Sequence, residues 1–364
     1  MIEIKSFQNI ETPGVIVFPE RVKKNIEWVI NRVGGDASRL RPHIKTHKTK
    51  EVNDLLLAAG IRKFKAATIA EAELLALSTA PDVLISMQLV GPNLERFVQL
   101  IKKYPRTQFS ALCDHPDTFE SYQSIAQAND MQLSLFVDLN VGMNRTGIRP
   151  EEAKPLIDSI LASKHLQLKG IHGYDGHIRD KEIDSRKSHA QQDLQAFWEL
   201  KKALDAKHTL EYVVGGTPSF LVHADEPQFT CSPGTFVFSD AGYQELYPED
   251  SLEQAVYLVS RIISKPTNHT ICLDLGHKAV APENPIDKRV RFIDRPGYSL
   301  LSQSEEHGIV EVGDSAPLKI GEVILMQPYH VCPSINLTQK LQVIENGHKV
   351  GEWEVLGRNR KLGV

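Results

Sequence analysis

Long apolar runs, paired cysteines and a one-sided charge are what this sequence lacks. No stretch approaches the roughly 20 consecutive apolar residues of a membrane-spanning helix, which excludes that architecture. Four cysteines among 364 residues, Cys113, Cys231, Cys272 and Cys332, are scattered without a pairing pattern, and a chain this long needs no covalent staples. Free thiols are expected. Lys and Arg number 42 against 46 Asp and Glu, a net charge of -4, so there is no basic field for nucleic acid and no polybasic patch for a membrane. Any anion must be met by a local site. Residues 1–7 show no charged leader followed by an apolar core, so a cytoplasmic protein is expected.

What is present is an ordinary globular composition, 41% hydrophobic and 24% charged. After a helix at about 20–33, stopped by Gly34-Gly35, apolar strands alternate with helical segments. The strands are expected at 39–45, 63–68, 83–88, 108–114, 133–140, 166–174, 212–216 and 230–240, with helices including 70–78, 93–103, 116–128, 151–163 and 187–207. Alternation implies a parallel sheet, and eight strands is the number that closes it into a (β/α)8 barrel; an open doubly wound sheet is the alternative. Polar residues at the carboxyl ends of the strands, Lys45, Gln88, Asn140, Tyr174, Gly216 and Asp240, favour the barrel, whose chemistry sits on that face. Beyond about 247 come short, alternating segments at 253–264, 270–275, 305–312, 322–326 and 340–345, separated by turns such as Asn346-Gly347. The expected organisation is a barrel over 13–246 and a mainly β domain over 247–364, with 1–12 packing alongside the latter. The apolar strand 15–18 is surplus to the barrel count and joins the β domain.

The stretch Arg41-Pro42-His43-Ile44-Lys45-Thr46-His47-Lys48 lies at a strand-to-helix turn. Strand parity puts Arg41, His43 and Lys45 on one face. A lysine desolvated there loses charge more readily, and its free amine can form a Schiff base with a carbonyl. A solvated surface charge is the bland alternative, and the one preferred for Lys48 and Lys50. Two glycine turns, Gly215-Gly216-Thr217-Pro218-Ser219 and Cys231-Ser232-Pro233-Gly234-Thr235, follow the seventh and eighth strands, where barrels bind phosphate. Thr217 is expected to open a short helix whose N-terminus favours an anion. Arg145, between Gly142 and Gly147, is either a donor of two fixed hydrogen bonds to an anion or a solvated loop charge. Tyr174 could pack on a ring, while His172 and His177 are as compatible with structural as with catalytic duty. On an extended segment His330 and Cys332 would project to the same side, a pairing suited to zinc.

With these motifs assembled, the chain resembles pyridoxal-phosphate enzymes of the alanine racemase barrel type, most closely the D-threonine aldolase/D-serine dehydratase group. The resemblance implies that Lys45 carries the cofactor and that Arg145 faces its phenolate. It implies a phosphate cup from Gly216, Thr217, Gly234 and Thr235, and cofactor or substrate contacts from Gln88, Tyr174 and Tyr243. His330 and Cys332 are implied to hold a divalent metal, zinc first, with manganese or magnesium as alternatives. A homodimer acting on a small D-amino acid is the implied context. The group includes dehydratases, which release a 2-oxo acid and ammonia, and aldolases, which release glycine and an aldehyde. A cysteine at the second metal position resembles the dehydratases, and aldolases tend to carry aspartate there. Racemization and non-catalytic cofactor binding are more remote readings.

Overall fold

The computed structural model describes residues 4–364, leaving residues 1–3 outside the described residues. The backbone divides into two compact units. One comprises Val29–Lys45, Asn53–Gly234 and Asn359–Val364; the other comprises Met1–Trp28, Thr46–Val52 and Thr235–Arg358.

The first unit is built on seven parallel strands in sequence order: Lys63–Ala66, Asp82–Gln88, Gln108–Cys113, Leu133–Leu139, Leu166–Gly173, Glu211–Val214 and Thr230–Cys231. The expected strand at 39–45 takes an irregular form. Ala37–Arg39 is a single 3-10 turn, and the chain then runs extended with only isolated bridges, from Leu40 to Cys231 and from His43 to Lys65. Pro42 has no N–H to give to a ladder, which limits regular pairing here. The segment still closes the barrel: Arg41 N donates to Cys231 O and His43 N to Pro233 O, both at 2.9 Å, while Ile44 N donates to Lys65 O at 3.0 Å. The expected strand 230–240 ends after Cys231, because Pro233 again lacks a donor; residues Thr235–Val237 form a 3-10 turn and Asp240 caps the helix Ala241–Leu246.

The helix Pro116–Ala128 lies where expected, while the one expected at 151–163 runs only Lys154–Ala162, after a 3-10 turn at Pro150–Glu152. The long helix expected at 187–207 is two, Ile183–Asp193 and Gln195–Asp205, with the break at buried Leu194.

Strand parity stacks the barrel interior in layers. At the amino ends, fully buried Arg41 bridges Asp82 and Glu211, each at 2.7 Å, and Lys63 pairs with Glu211 at 3.2 Å. Two residues further along the strands, Leu84, Leu112, Phe136 and Val213 form an apolar layer. The next inward positions are polar again: Lys65, Asp138 and His172, all buried. A floor of paired charge and a middle layer of hydrocarbon thus support a polar upper layer.

The second unit is a nine-stranded, mainly antiparallel sheet. Gly14–Val17 joins it as expected, with Val15 opposite Leu258 on one side and, in parallel, Leu341 on the other. Ile16, Phe18, Tyr257, Val259 and Ile344 pack together beneath it. Strands Val290–Phe292, Ser299–Gln303 and His348–Glu354 were not anticipated. All four cysteines are free, as expected, and among the described residues no helix is long and apolar enough to cross a membrane.

Candidate functional site

The candidate residues fall into two groups, one in each unit. In the barrel unit, Lys45 is half-buried, and its Nζ lies 5.7 Å from the centre of the Tyr174 ring. Arg145, though on an exposed loop, sets its guanidinium carbon 4.7 Å from the same ring. That is cation–π distance, and no carboxylate pairs with either cation among the described residues. Gly216 is the condition for this packing, since a Cβ there would sit 2.9 Å from Tyr174 Cε2. Gly215 turns the chain at φ +73°, a conformation glycine adopts without strain.

A cavity of about 370 Å³ opens beside these groups, lined by His43, Lys45, Gln88, Asp138 and Arg145 among others. Gln88 does not point a free amide oxygen into it, for Oε1 accepts from Asp114 N at 2.8 Å. Thr217 Oγ1 accepts from Gly234 N at 3.1 Å, tying the two glycine turns together. The expectation that Thr217 opens a helix fails: the helix is Phe220–Ala224, too short for a strong terminal field. Its N-cap, Ser219, makes no capping bond: its hydroxyl donates to Asp175 Oδ1 at 2.6 Å and accepts from Gly216 N at 3.4 Å. His223 Nε2 also reaches Asp175, at 2.5 Å, and all three side chains are buried. Burial pushes the Asp175 carboxyl up, but His223 and Ser219 more than reverse this and hold it below the usual carboxylate value.

Sequence reasoning missed Asp175 and Lys65. Lys65 is the fully buried lysine of the barrel, and burial, followed by the charge of Lys45, lowers it to about 7. The signal was available in Lys63-Phe64-Lys65, where parity puts both lysines inside. His172 is buried too, its Nδ1 2.6 Å from Asp138 Oδ1. His177, Asp193 and His189 form a separate polar cluster near the barrel surface, with His177 Nε2 2.6 Å from Asp193 Oδ2.

In the second unit, the extended geometry expected around His330 is overturned at Cys332. His330 is the N-cap of the helix Val331–Leu337 and Cys332 lies in its first turn. Buried Asp240 fixes this start by accepting from Val331 N at 3.1 Å and from Tyr243 N at 2.9 Å. Burial raises the Asp240 carboxyl to about 6. His330 and Cys332 remain hydrogen-bonded. Burial lowers His330, but Cys332, Asp240 and Glu283 outweigh it and lift the imidazole to about 9. Cys332 Sγ has Thr46 Oγ1 at 3.1 Å and Thr235 Oγ1 at 3.6 Å. Thr235, the residue after Gly234, thus also touches the thiol, and Tyr243 stacks on Tyr247 with ring centres 5.7 Å apart.

A parallel α/β barrel with a half-buried lysine and an arginine on one tyrosine face, followed by a β unit, defines a class of cofactor-binding barrel. The alanine racemase N-terminal domain family matches residues 18–241, and the chain belongs to it. A serine dehydratase domain model matches residues 255–344. The chain is 24% identical to the 3-hydroxy-D-aspartate aldolase of Paracoccus denitrificans (strain Pd 1222), over 96% of this chain and 93% of that protein. It is 24% identical to the D-serine dehydratase of Schizosaccharomyces pombe, over 90% and 87%. The crystal structure of D-threonine aldolase from Filomicrobium marinum superposes with a TM-score of 0.86 at 27% identity, covering 96% of this chain and 95% of that one.

Both groups of residues fit the cofactors expected of such a protein. Lys45 and Arg145, unpaired by any carboxylate among the described residues, suit an anionic aromatic aldehyde, and Gly216 leaves room beside the Tyr174 ring. Glu283 Oε1 lies 2.7 Å from His330 Nδ1, leaving Nε2 as the nitrogen for a metal, with the carboxylate orienting the ring. Cys332 adds a soft donor.

Proposed function

We propose that this protein is a pyridoxal-phosphate- and metal-dependent lyase of D-3-hydroxy amino acids, working as a dehydratase on a D-serine or D-threo-3-hydroxyaspartate type of substrate. The observation that carries the cofactor reading is the pair of cations, Lys45 and Arg145, on the face of Tyr174. Pyridoxal phosphate, when bound, supplies the electron sink that labilises bonds at the substrate Cα. Lys45 is the residue that carries the cofactor and then moves the Cα proton. Arg145 would donate to the cofactor's phenolate, Tyr174 and Gln88 would border its ring, and Gly216, Thr217, Gly234 and Thr235 would hold its phosphate. Tyr243 contacts cofactor or substrate. His330 and Cys332 would hold the divalent ion, zinc by softness of the donor set, which would supply Lewis-acid polarisation of the 3-hydroxyl.

Cys332 is the reason for preferring dehydration, since it stands where aldolases of this group tend to carry aspartate. The second reading, retro-aldol cleavage to glycine and an aldehyde, is favoured by the names of aldolases among its matches, including those at 24% and 27% identity above. The same proposal includes a homodimer in the cytoplasm. The test is product analysis: protein supplied with pyridoxal phosphate and zinc or manganese is incubated with D-serine, D-threonine or D-3-hydroxyaspartate. Release of 2-oxo acid and ammonia supports dehydration. Glycine with an aldehyde makes the protein an aldolase despite Cys332, and neither product from any of the three removes the lyase assignment for these substrates.

A further inference from the structure

The barrel holds a second lysine that the proposed reaction does not use. Lys65 is 3% exposed, a level of burial that lysine rarely tolerates unless paired. Its Nζ lies 3.2 Å from His172 Nε2, and no carboxylate pairs with it among the described residues. From His172 the contacts continue: Nδ1 meets Asp138 Oδ1 at 2.6 Å, and Asp138 Oδ2 accepts from Thr146 Oγ1 at 2.9 Å. Thr146 is the residue after Arg145, so these contacts, buried as far as Asp138, run from Lys65 to the exposed loop that carries the arginine.

Tyr174 shows why the chain matters. Its ring centre is 5.8 Å from Lys65 Nζ, 5.7 Å from Lys45 Nζ and 4.7 Å from the Arg145 guanidinium carbon. Three basic groups converge on one ring, and the nearby carboxylates are engaged elsewhere: Asp138 with a histidine and a hydroxyl, Asp114 on the cavity wall with Gly147 N at 2.9 Å, and Asp175 with Ser219 and His223. Among the described residues none of the three cations is paired with a carboxylate, so an entering anion meets them unpaired. Burial is the largest influence on Lys65; Lys45 and Arg145 disfavour its charged form, Asp138 and Asp175 favour it, and the balance falls at about 7. His172, its hydrogen-bond partner, is itself lowered by burial and by Lys65. His43, the neighbour of Lys65 across the barrel closure, is engaged with Ser86 Oγ at 3.2 Å.

We propose that Lys65, with His172 and Asp138, is the charge-compensating group of the cofactor pocket, taking up a proton when pyridoxal phosphate binds and releasing it when the pocket empties. The inference rests on the reading that this pocket takes pyridoxal phosphate. Its sign follows from linkage. An anionic occupant raises Lys65 above its empty-pocket value of about 7. Below that pH the ammonium is present in both states and its attraction is fully expressed. As pH rises, the empty pocket loses the proton first, binding must recover it, and the contribution fades until the bound-state value is passed. Raising the lysine's pKa by one on binding corresponds to about tenfold in affinity.

The experiment measures pyridoxal phosphate dissociation constants for the full-length cofactor-free chain between pH 6 and pH 10, for wild type, K65M and K65R. The ratio of wild type to K65M removes the titration of the cofactor phosphate, which both proteins share. That ratio should be about tenfold near pH 6.5 and fall toward unity at the alkaline end. K65R, whose guanidinium does not titrate there, should keep its advantage over K65M across the range. Should K65M fail to fold, calorimetry in buffers of different ionisation heat gives the same answer from wild type and K65R: at pH 8 the wild type takes up about 0.4 proton more on binding than K65R does, for a rise of one in the lysine's pKa. A ratio independent of pH, or equal proton uptake, would overturn the role of Lys65 alone. No binding by the wild type at any pH would overturn the cofactor reading along with it.

Discussion

Replacing Asp175 by alanine removes the buried carboxylate that holds the glycine turn after the strand Glu211–Val214. Asp175 is 1% exposed and receives Ser219 Oγ at 2.6 Å and His223 Nε2 at 2.5 Å. Ser219 Oγ in turn lies 3.4 Å from Gly216 N, so the turn is tied to the carboxylate through one hydroxyl. Deleting the carboxylate orphans the buried His223 Nε2, which costs about 1–3 kcal/mol. The orphaned serine adds about 1–3 kcal/mol in isolation, but both bonds end on one carboxylate and their losses are not additive. Asp175→Ala is therefore expected to lose about 2–4 kcal/mol, and Asp175→Asn, which keeps an oxygen for Ser219, about half of that. The pH dependence has a definite sign. The folded Asp175 value lies below the unfolded one, so its contribution is complete above the ordinary carboxylate range and is lost as pH falls through the folded value. Urea unfolding at pH 7, pH 5 and pH 3 reads both quantities, and cofactor affinity reads the turn. A difference below about 1 kcal/mol at pH 7, or one that grows toward acid, would refute the reasoning.

Further substitutions probe the two groups separately. Lys45→Ala should abolish turnover while changing unfolding by less than about 1 kcal/mol, because the side chain is only half-buried; a large loss of stability by urea titration would mark it as structural. Gly216→Ala forces a Cβ within 2.9 Å of Tyr174, and cofactor affinity, read by absorbance titration, should fall about tenfold or more as the ring is displaced. Glu283→Gln removes the carboxylate on His330 Nδ1 and should weaken metal affinity about 10- to 100-fold in a competition assay with a chelator, whereas unchanged affinity would put the ion elsewhere.

The barrel was legible because a parallel sheet buried on both faces leaves apolar segments at a helix–strand rhythm, and Leu133–Leu139, with all seven residues buried, shows that rule at its clearest. The irregular closures were not legible: Pro42 and Pro233 each remove a donor, yet neither tells where neighbouring residues will find carbonyls. Short strands such as Val290–Phe292 carry too few residues for a period to register. The turn at Leu194 has no proline or glycine to announce it, and the helix at Val331 begins where Asp240, 91 residues earlier, accepts its amide. Lys45, Arg145 and Tyr174 were recognised one motif at a time, and only the fold brings them to one ring. Glu283 left no trace, since a carboxylate on a loop is unremarkable until the chain places it 2.7 Å from His330.

The most direct test of the central claim is to load the wild-type chain with pyridoxal phosphate, reduce it with borohydride to fix the cofactor covalently, and map the modified peptide. The account predicts one phosphopyridoxyl group, on Lys45, in near-stoichiometric yield. A label on Lys65 or on a surface lysine, or no label from protein that has taken up the cofactor, would contradict it.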